Sequence, residues 1–119
     1  MNVAEKFEPQ IERCLQQLAE DEWALSNARD DVVSELEPHE AFLSVVPVLL
    51  LATKQTDDYA FVTCCWVASQ LARISGTTEC PKGLVDALKK LHAKAQSFEQ
   101  NTASEAKKIA MWYRVENDI

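Results

Sequence analysis

The residue types that most often do chemistry are few in this chain, and their spacing matches no catalytic motif. His39 and His92 are its two histidines, and neither has an acid, base or nucleophile partner at local spacing. The two glycines, Gly76 and Gly83, cannot build a glycine-rich loop that cradles phosphate groups. The sequence therefore predicts a protein that is not an enzyme, with no catalytic residues and no bound cofactor.

The cysteines show no pattern that would hold a metal ion or define a disulfide framework. Cys14, Cys64, Cys65 and Cys80 include no Cys-x-x-Cys pair, and no histidine stands at ligand spacing. Adjacent side chains of a helix point about 100° apart, so Cys64 and Cys65 do not face one site. We therefore expect small buried side chains in a reduced compartment, and no metal site.

Charge is distributed unevenly along the chain. Residues 1–58 have thirteen acidic and four basic side chains, a balance of −9, whereas residues 59–119 have eight basic and six acidic ones, a balance of +2. The net charge of the whole chain is −7. An acidic chain is a poor ligand for nucleic acids, because their binding depends on neutralised phosphates. The acidic half instead predicts a binding protein with a basic protein partner.

No segment predicts export or membrane insertion. The chain does not open with a basic region followed by an apolar one, the pattern of a secretory signal. Its longest apolar run, 41–52, spans twelve residues and includes Ser44 and Pro47, whereas a membrane helix needs about 20. These features predict a cytoplasmic protein that does not bind membranes, and they leave its oligomeric state open.

Apolar residues recur with helical spacing along nearly the whole chain, as Ile11, Leu15 and Leu18 do in the first segment. Two glycines and four prolines provide few turns for a sheet protein. The fourth segment, apolar on almost every side between residues 61 and 74, is expected at the centre of the fold. We predict one all-α domain over 1–119 with about six helices, the first over about 4–20, the second over 25–36, and the others opening near Pro38, Asp57, Pro81 and Ser104.

The middle of the chain, over about residues 41–116, resembles a HEAT repeat. In that family a first helix with a mid-helix proline is followed by an aspartate-bearing turn and by a second helix with a Val/Ala/Leu spine, here Pro47, Asp57-Asp58, Val62, Ala68 and Leu71. The pattern that starts at Leu43 recurs 41 residues later at Leu84, within the about 40–47 residues of such repeats. Thr63 departs from the basic residue that the family often places there. The resemblance implies a stack of three antiparallel hairpins, and an irregular helical bundle is the alternative.

The acidic residues expected to bind the partner lie on the second helix and in the turns near it. Leu25, Ala28 and Val32 form the inward stripe of this helix, which leaves its acidic side chains pointing outward. The residues predicted to supply the charge complementarity are Asp30, Asp31, Glu35, Glu37, Asp57 and Asp58. Since exposed aromatic rings beside charges are typical anchors, Trp23 or Tyr59 is the expected anchor. Each acid also has a structural interpretation, as a helix cap, a dipole partner or a solubilising charge.

Three functions fit these features. In size, acidity and lack of motifs the chain is similar to small bacterial immunity proteins, which implies an inhibitor that caps a basic, nuclease-like toxin. The second is a HEAT-like adaptor that binds a peptide or a helix in its concave face. The third is a helical enzyme or small-molecule binder whose site, around His39 or His92, assembles only in the fold. We favour the first, because nine net negative charges in one half exceed what helix capping needs.

Overall fold

Six α-helices make up most of the fold in the computed structural model, which describes residues 2–119. Their bounds are Val3–Gln16 (α1), Ala24–Val33 (α2), Pro38–Thr53 (α3), Asp58–Ser75 (α4), Leu84–Ala95 (α5) and Gln100–Trp112 (α6). A short 3-10 turn, Glu116–Asp118, follows the last helix. Residues 2–119 include no strand, and the predicted all-α fold with six helices is confirmed.

The ends of α4 lie where the sequence predicts them. Asp57 precedes the helix as its N-cap, and its carboxylate accepts a hydrogen bond of 3.0 Å from the backbone N–H of Ala60. Gly76 follows the helix with a φ of 70°, in the left-handed region that favours glycine. Both ends are therefore determined by local backbone chemistry.

Four other helix ends differ from the sequence prediction. The second helix ends at Val33 rather than near residue 36, because Ser34 takes an extended backbone. The first helix ends at Gln16 rather than near residue 20, before acidic residues that the negative end of a helix dipole disfavours. The fifth helix begins at Leu84 and not at Pro81, because Gly83 takes a left-handed φ of 83°. The sixth begins at Gln100 rather than Ser104, since Glu99 adopts the extended backbone of an N-cap.

The helices pack in two series. One series is α1, α3 and α5, and the other is α2, α4 and α6. Each helix contacts its neighbours within its own series. The two series contact each other through the pairs α1–α2, α3–α4 and α5–α6. The shortest dimension of the fold, 18 Å between Cα atoms, fits two layers of helices about 10 Å across. This pattern is consistent with a helical-repeat fold, while the antiparallel direction of each pair stays a prediction.

The fourth helix is the central element of the core. It contributes nine buried residues and packs against α2, α3 and α6. Phe61 and Leu71 are fully buried, but Trp66, which the apolar pattern places in the core, is only partly buried. The side of α4 that holds Trp66 therefore faces outward in part.

The cysteines follow the expectation for buried thiols at three of four positions. Cys14, Cys64 and Cys65 are buried, whereas Cys80 is exposed, and all four are free. Burial raises the pKa of Cys64 to about 12, and it also raises the pKa of Cys65. These two thiols are therefore protonated and unreactive in the fold at neutral pH. No helix within residues 2–119 combines the length and the apolar character required to span a bilayer.

Candidate functional site

The second helix has one buried and one acidic side, as its sequence pattern predicts. Leu25, Ala28 and Val32 are buried in the core. Asp30 and Asp31, on the other side, are exposed. This division arises because the apolar stripe must face α1 and α4, so that the acidic residues between its members point into solvent.

Two further predicted acids lie where the chain leaves α2. Glu35 is exposed and has a φ of 60°, in the left-handed region that is uncommon for a residue with a side chain. Glu37 is exposed and stands at the N-cap of α3, but its side chain makes no capping hydrogen bond. Neither carboxylate is therefore used to close a helix end.

The predicted anchor residues differ in their surroundings. Trp23 stands at the N-cap position of α2 with 64% of its surface exposed, and its backbone N–H donates to the Asp21 carboxylate at 3.0 Å. Tyr59 is half-buried, and its hydroxyl lies 3.2 Å from the Ser26 hydroxyl on α2. Trp23 is thus available to a partner, whereas Tyr59 already joins α4 to α2.

Two contacts show how α2 and α4 are aligned. Ser26 meets Tyr59, and further along both helices the Arg29 guanidinium lies 4.3 Å from the centre of the Trp66 ring. The residue numbers increase together, so the two helices run in the same direction. The predicted residues therefore spread along α2, with Trp23, Asp57 and Asp58 near its start, Asp30 and Asp31 beyond its middle, and Glu35 and Glu37 after its end.

The spread is short enough for one interface. The ten residues of α2 span about 15 Å. A standard protein–protein interface buries about 800 Å² on each partner, which corresponds to a patch about 30 Å across. A single partner could therefore contact the whole length of α2 with the turns at both ends. We call this region, Trp23 to Glu37 with Asp57 and Asp58, the acidic surface.

Few of these carboxylates are neutralised by a neighbouring cation. Within residues 2–119 the only ion pair on the acidic surface joins Arg29 Nε to Asp30 Oδ1 at 3.6 Å. The exposed residues Glu20, Asp21 and Glu22, which directly precede Trp23, add acid that the sequence analysis did not select. These residues could have been selected from the sequence, because they directly precede Trp23 and so place negative charge beside an aromatic ring.

A groove between α4 and α6 is a second feature, and the sequence analysis missed it. One helix side on α4 faces a matching side on α6, and both sets have the spacing i, i+3, i+4 and i+7: Trp66, Ser69, Gln70 and Arg73, then Glu105, Lys108, Ile109 and Trp112. The groove has a volume of about 240 Å³. The shared spacing was visible in the sequence, but nothing local indicates that the two sides meet.

The histidines stand apart from both features. His39 is exposed in the first turn of α3, and His92 is half-buried with its Nδ1 2.9 Å from the Leu88 carbonyl oxygen of the preceding turn. In the part of the chain that the structure describes, no three His, Cys, Asp or Glu side chains are grouped as metal ligands are. Of the features found, the acidic surface and the groove can therefore be developed as sites.

The chain was compared with protein-family models, curated proteins and solved structures, and no significant match was found in any of the three. Function must therefore be argued from the acidic surface and the groove.

Proposed function

We propose that this chain is an inhibitor that binds a basic protein, a nuclease-like toxin, through the acidic surface. The main support is that exposed carboxylates line α2 and its turns with a single internal ion pair, next to Trp23. Exposed carboxylates without internal partners are available to an external cation, and an exposed tryptophan adds apolar contact area.

The proposed mechanism is occupation of the toxin's phosphate-binding groove by carboxylates. A nuclease is basic where it binds its substrate, because it neutralises phosphates there. Carboxylates at both ends and along one side of α2 would form a rigid series of negative charges over about 15 Å. Rigid charges lose little conformational entropy on binding, and long-range attraction accelerates the encounter.

The first experiment is a pull-down from the native source with low-salt and then high-salt washes, followed by mass spectrometry. The proposal predicts one stoichiometric basic protein, and an association rate that falls as ionic strength rises. A partner that is neutral or acidic, or an association rate independent of salt, would contradict it.

Charge reversal then tests the surface itself. The double variant Asp30→Lys with Asp31→Lys should slow association by about tenfold or more, because it changes four units of charge at the centre of the acidic surface. Glu116→Lys with Asp118→Lys is the matched control, since it makes the same charge change at exposed positions of the 3-10 turn that follows α6. Equal effects of the two double variants would show that net charge alone matters and that no specific acidic surface exists. Circular dichroism should be unchanged in both.

The alternative of a peptide-binding adaptor has a specific observation in its favour, which is the groove between α4 and α6. This groove is formed by other residues and has the opposite charge.

A further inference from the structure

We propose that the groove between α4 and α6 binds a short acidic peptide segment, with an apolar side chain on Trp66 and a carboxylate on Arg73, beside Trp112. The groove lies on different residues from the acidic surface and prefers the opposite charge. The inference goes beyond the proposed function and does not depend on it.

The α4 wall of the groove is polar where core packing would favour apolar residues. This helix is the central one, with nine buried residues, yet Ser69, Gln70 and Arg73 follow Trp66 on a single side of it. Ser69 and Gln70 are only half-buried and Arg73 is exposed. The groove therefore exposes polar side chains on the most buried helix of the fold.

These polar groups are not engaged within the protein. Other hydroxyls of α4 bond to a preceding carbonyl, as Thr63 does to Tyr59 at 2.7 Å and Ser75 does to Ala72 at 2.6 Å. Within residues 2–119, by contrast, the side chains of Ser69, Gln70 and Arg73 make no hydrogen bond or ion pair. Three side chains with donor groups on one wall of the groove are thus available to a ligand.

The charge balance of the groove selects an anion. Lys108 is paired with Glu105 at 2.9 Å, so these two charges offset each other. Arg73 remains as the uncompensated cation, and its planar guanidinium suits a carboxylate. The groove is therefore positive in a chain whose net charge is −7.

Two tryptophans provide the apolar part of the site. The guanidinium of Arg29 lies 4.3 Å from the Trp66 ring centre and restrains this indole from the α2 side. Trp112 is 37% exposed, because its neighbour Tyr113 takes the inward position with only 4% exposure. Tryptophan and arginine are the residue types that most often dominate binding energy at interfaces.

The dimensions fit a peptide rather than a larger molecule. About 240 Å³ is below the about 300–1,000 Å³ of sites for drug-sized ligands, and it is sufficient for a side chain with its backbone. From Trp66 to Arg73 the helix rises about 10 Å, the length of about three residues of extended chain. An apolar residue with an acidic residue three positions later therefore matches the spacing from Trp66 to Arg73.

The test is a titration of the 15N-labelled chain with a set of blocked hexapeptides, acetyl-Gly-X-Gly-Gly-Z-Gly-amide. X is Leu, Ile, Phe or Tyr, and Z is Asp, Glu, Gln or Lys. The indole N–H signals of Trp66 and Trp112 report binding. We expect the acidic members to shift both signals, with Gln members at least about tenfold weaker because a charge-assisted pair is lost. No shift by any acidic member at about 5 mM would overturn the proposal.

Two variants and one control locate the site. Arg73→Gln and Trp112→Ala should each weaken binding of the tightest peptide by at least about tenfold. Arg13→Gln is the matched control, because Arg13 is also an exposed arginine in the last turn of a helix, on α1. A thermal melt of each variant confirms folding. Equal loss in Arg13→Gln, or equal binding of Lys peptides, would overturn the proposal.

A titration with phenylacetate tests whether the groove binds a peptide or a small aromatic anion. Phenylacetate carries a ring and a carboxylate but no peptide backbone. If it shifts both indole signals at the same concentration as the tightest peptide, the peptide assignment is wrong and the groove binds small anions. If it binds much more weakly, backbone contacts to Ser69 and Gln70 are part of the recognition.

Discussion

Replacement of Asp57 separates two roles, helix capping and partner binding, that the sequence alone could not distinguish. Its carboxylate caps α4 through the 3.0 Å bond from Ala60, so Asp57→Ala removes both the cap and a negative charge at the helix N-terminus. The cap contributes about 1 kcal/mol and the charge about 0.5 kcal/mol. Asp57→Asn keeps a capping oxygen and removes the charge alone. The expected losses in the free energy of unfolding are therefore about 1.5 kcal/mol for Ala and about 0.5 kcal/mol for Asn.

Urea denaturation followed by circular dichroism measures these losses, and thermal melting checks them. For a chain of 119 residues an unfolding entropy of about 0.25 kcal/mol per kelvin converts them to falls in Tm of about 6 °C and about 2 °C. Asp58→Asn is the control, because Asp58 lies in the first turn of α4 and does not accept the capping bond. Equal destabilisation by Ala and Asn would refute the capping argument. If Asn is nearly neutral for stability but slows association with a basic partner, Asp57 has both roles.

Three further predictions concern Tyr59, thiol reactivity and alkaline stability. Tyr59→Phe should cost about 1 kcal/mol of unfolding free energy by removing the contact with Ser26, and in a double-mutant cycle with Ser26→Ala the two losses should not add. A thiol reagent should modify Cys80 rapidly in the native protein and the three buried cysteines only after unfolding; more than one fast thiol would contradict the burial pattern. The fold holds the pKa of Cys64 at about 12, against 9.0 in the unfolded chain. The stability that the protonated thiol contributes is present below pH 9. It is lost at about 1.4 kcal/mol per pH unit as pH rises from 9 through 12. Cys64→Ala should therefore flatten the decline of the unfolding free energy, measured in urea, between about pH 9 and about pH 11.

The helices were predictable from the sequence to a large extent, and the errors are informative. The Asp57 cap and the Gly76 stop act through hydrogen bonds and backbone angles within a few residues, so the bounds of α4 were recognisable. The start of α5 was placed too early because Pro81 suits a first helical turn, while the left-handed backbone of Gly83 delays the helix to Leu84. Proline and glycine signals competed there, and only the backbone angle decided between them.

The sites were less predictable than the helices. The exposed acids of α2 follow from its own amphipathic pattern, so the acidic surface could be proposed from residues near one another in sequence. Tyr59 was an anchor candidate beside Asp57, but its hydroxyl meets Ser26, which is 33 residues earlier. Trp66 was expected in the core, but it lies partly at the surface under Arg29. The surroundings of both aromatic residues are determined by residues that are distant in the sequence.

By itself the sequence determined the helical class, most helix positions and the excess of acid in one half, because periodicity, caps and net charge are local or additive properties. Tertiary structure alone decided which helix sides became neighbours. It placed the polar side of α4 opposite that of α6 and left Arg73 without an anion, although the two sides are about 40 residues apart in the chain. The physical reason is that a groove is formed by the packing angle and spacing of two helices, and neither quantity is encoded within either helix alone.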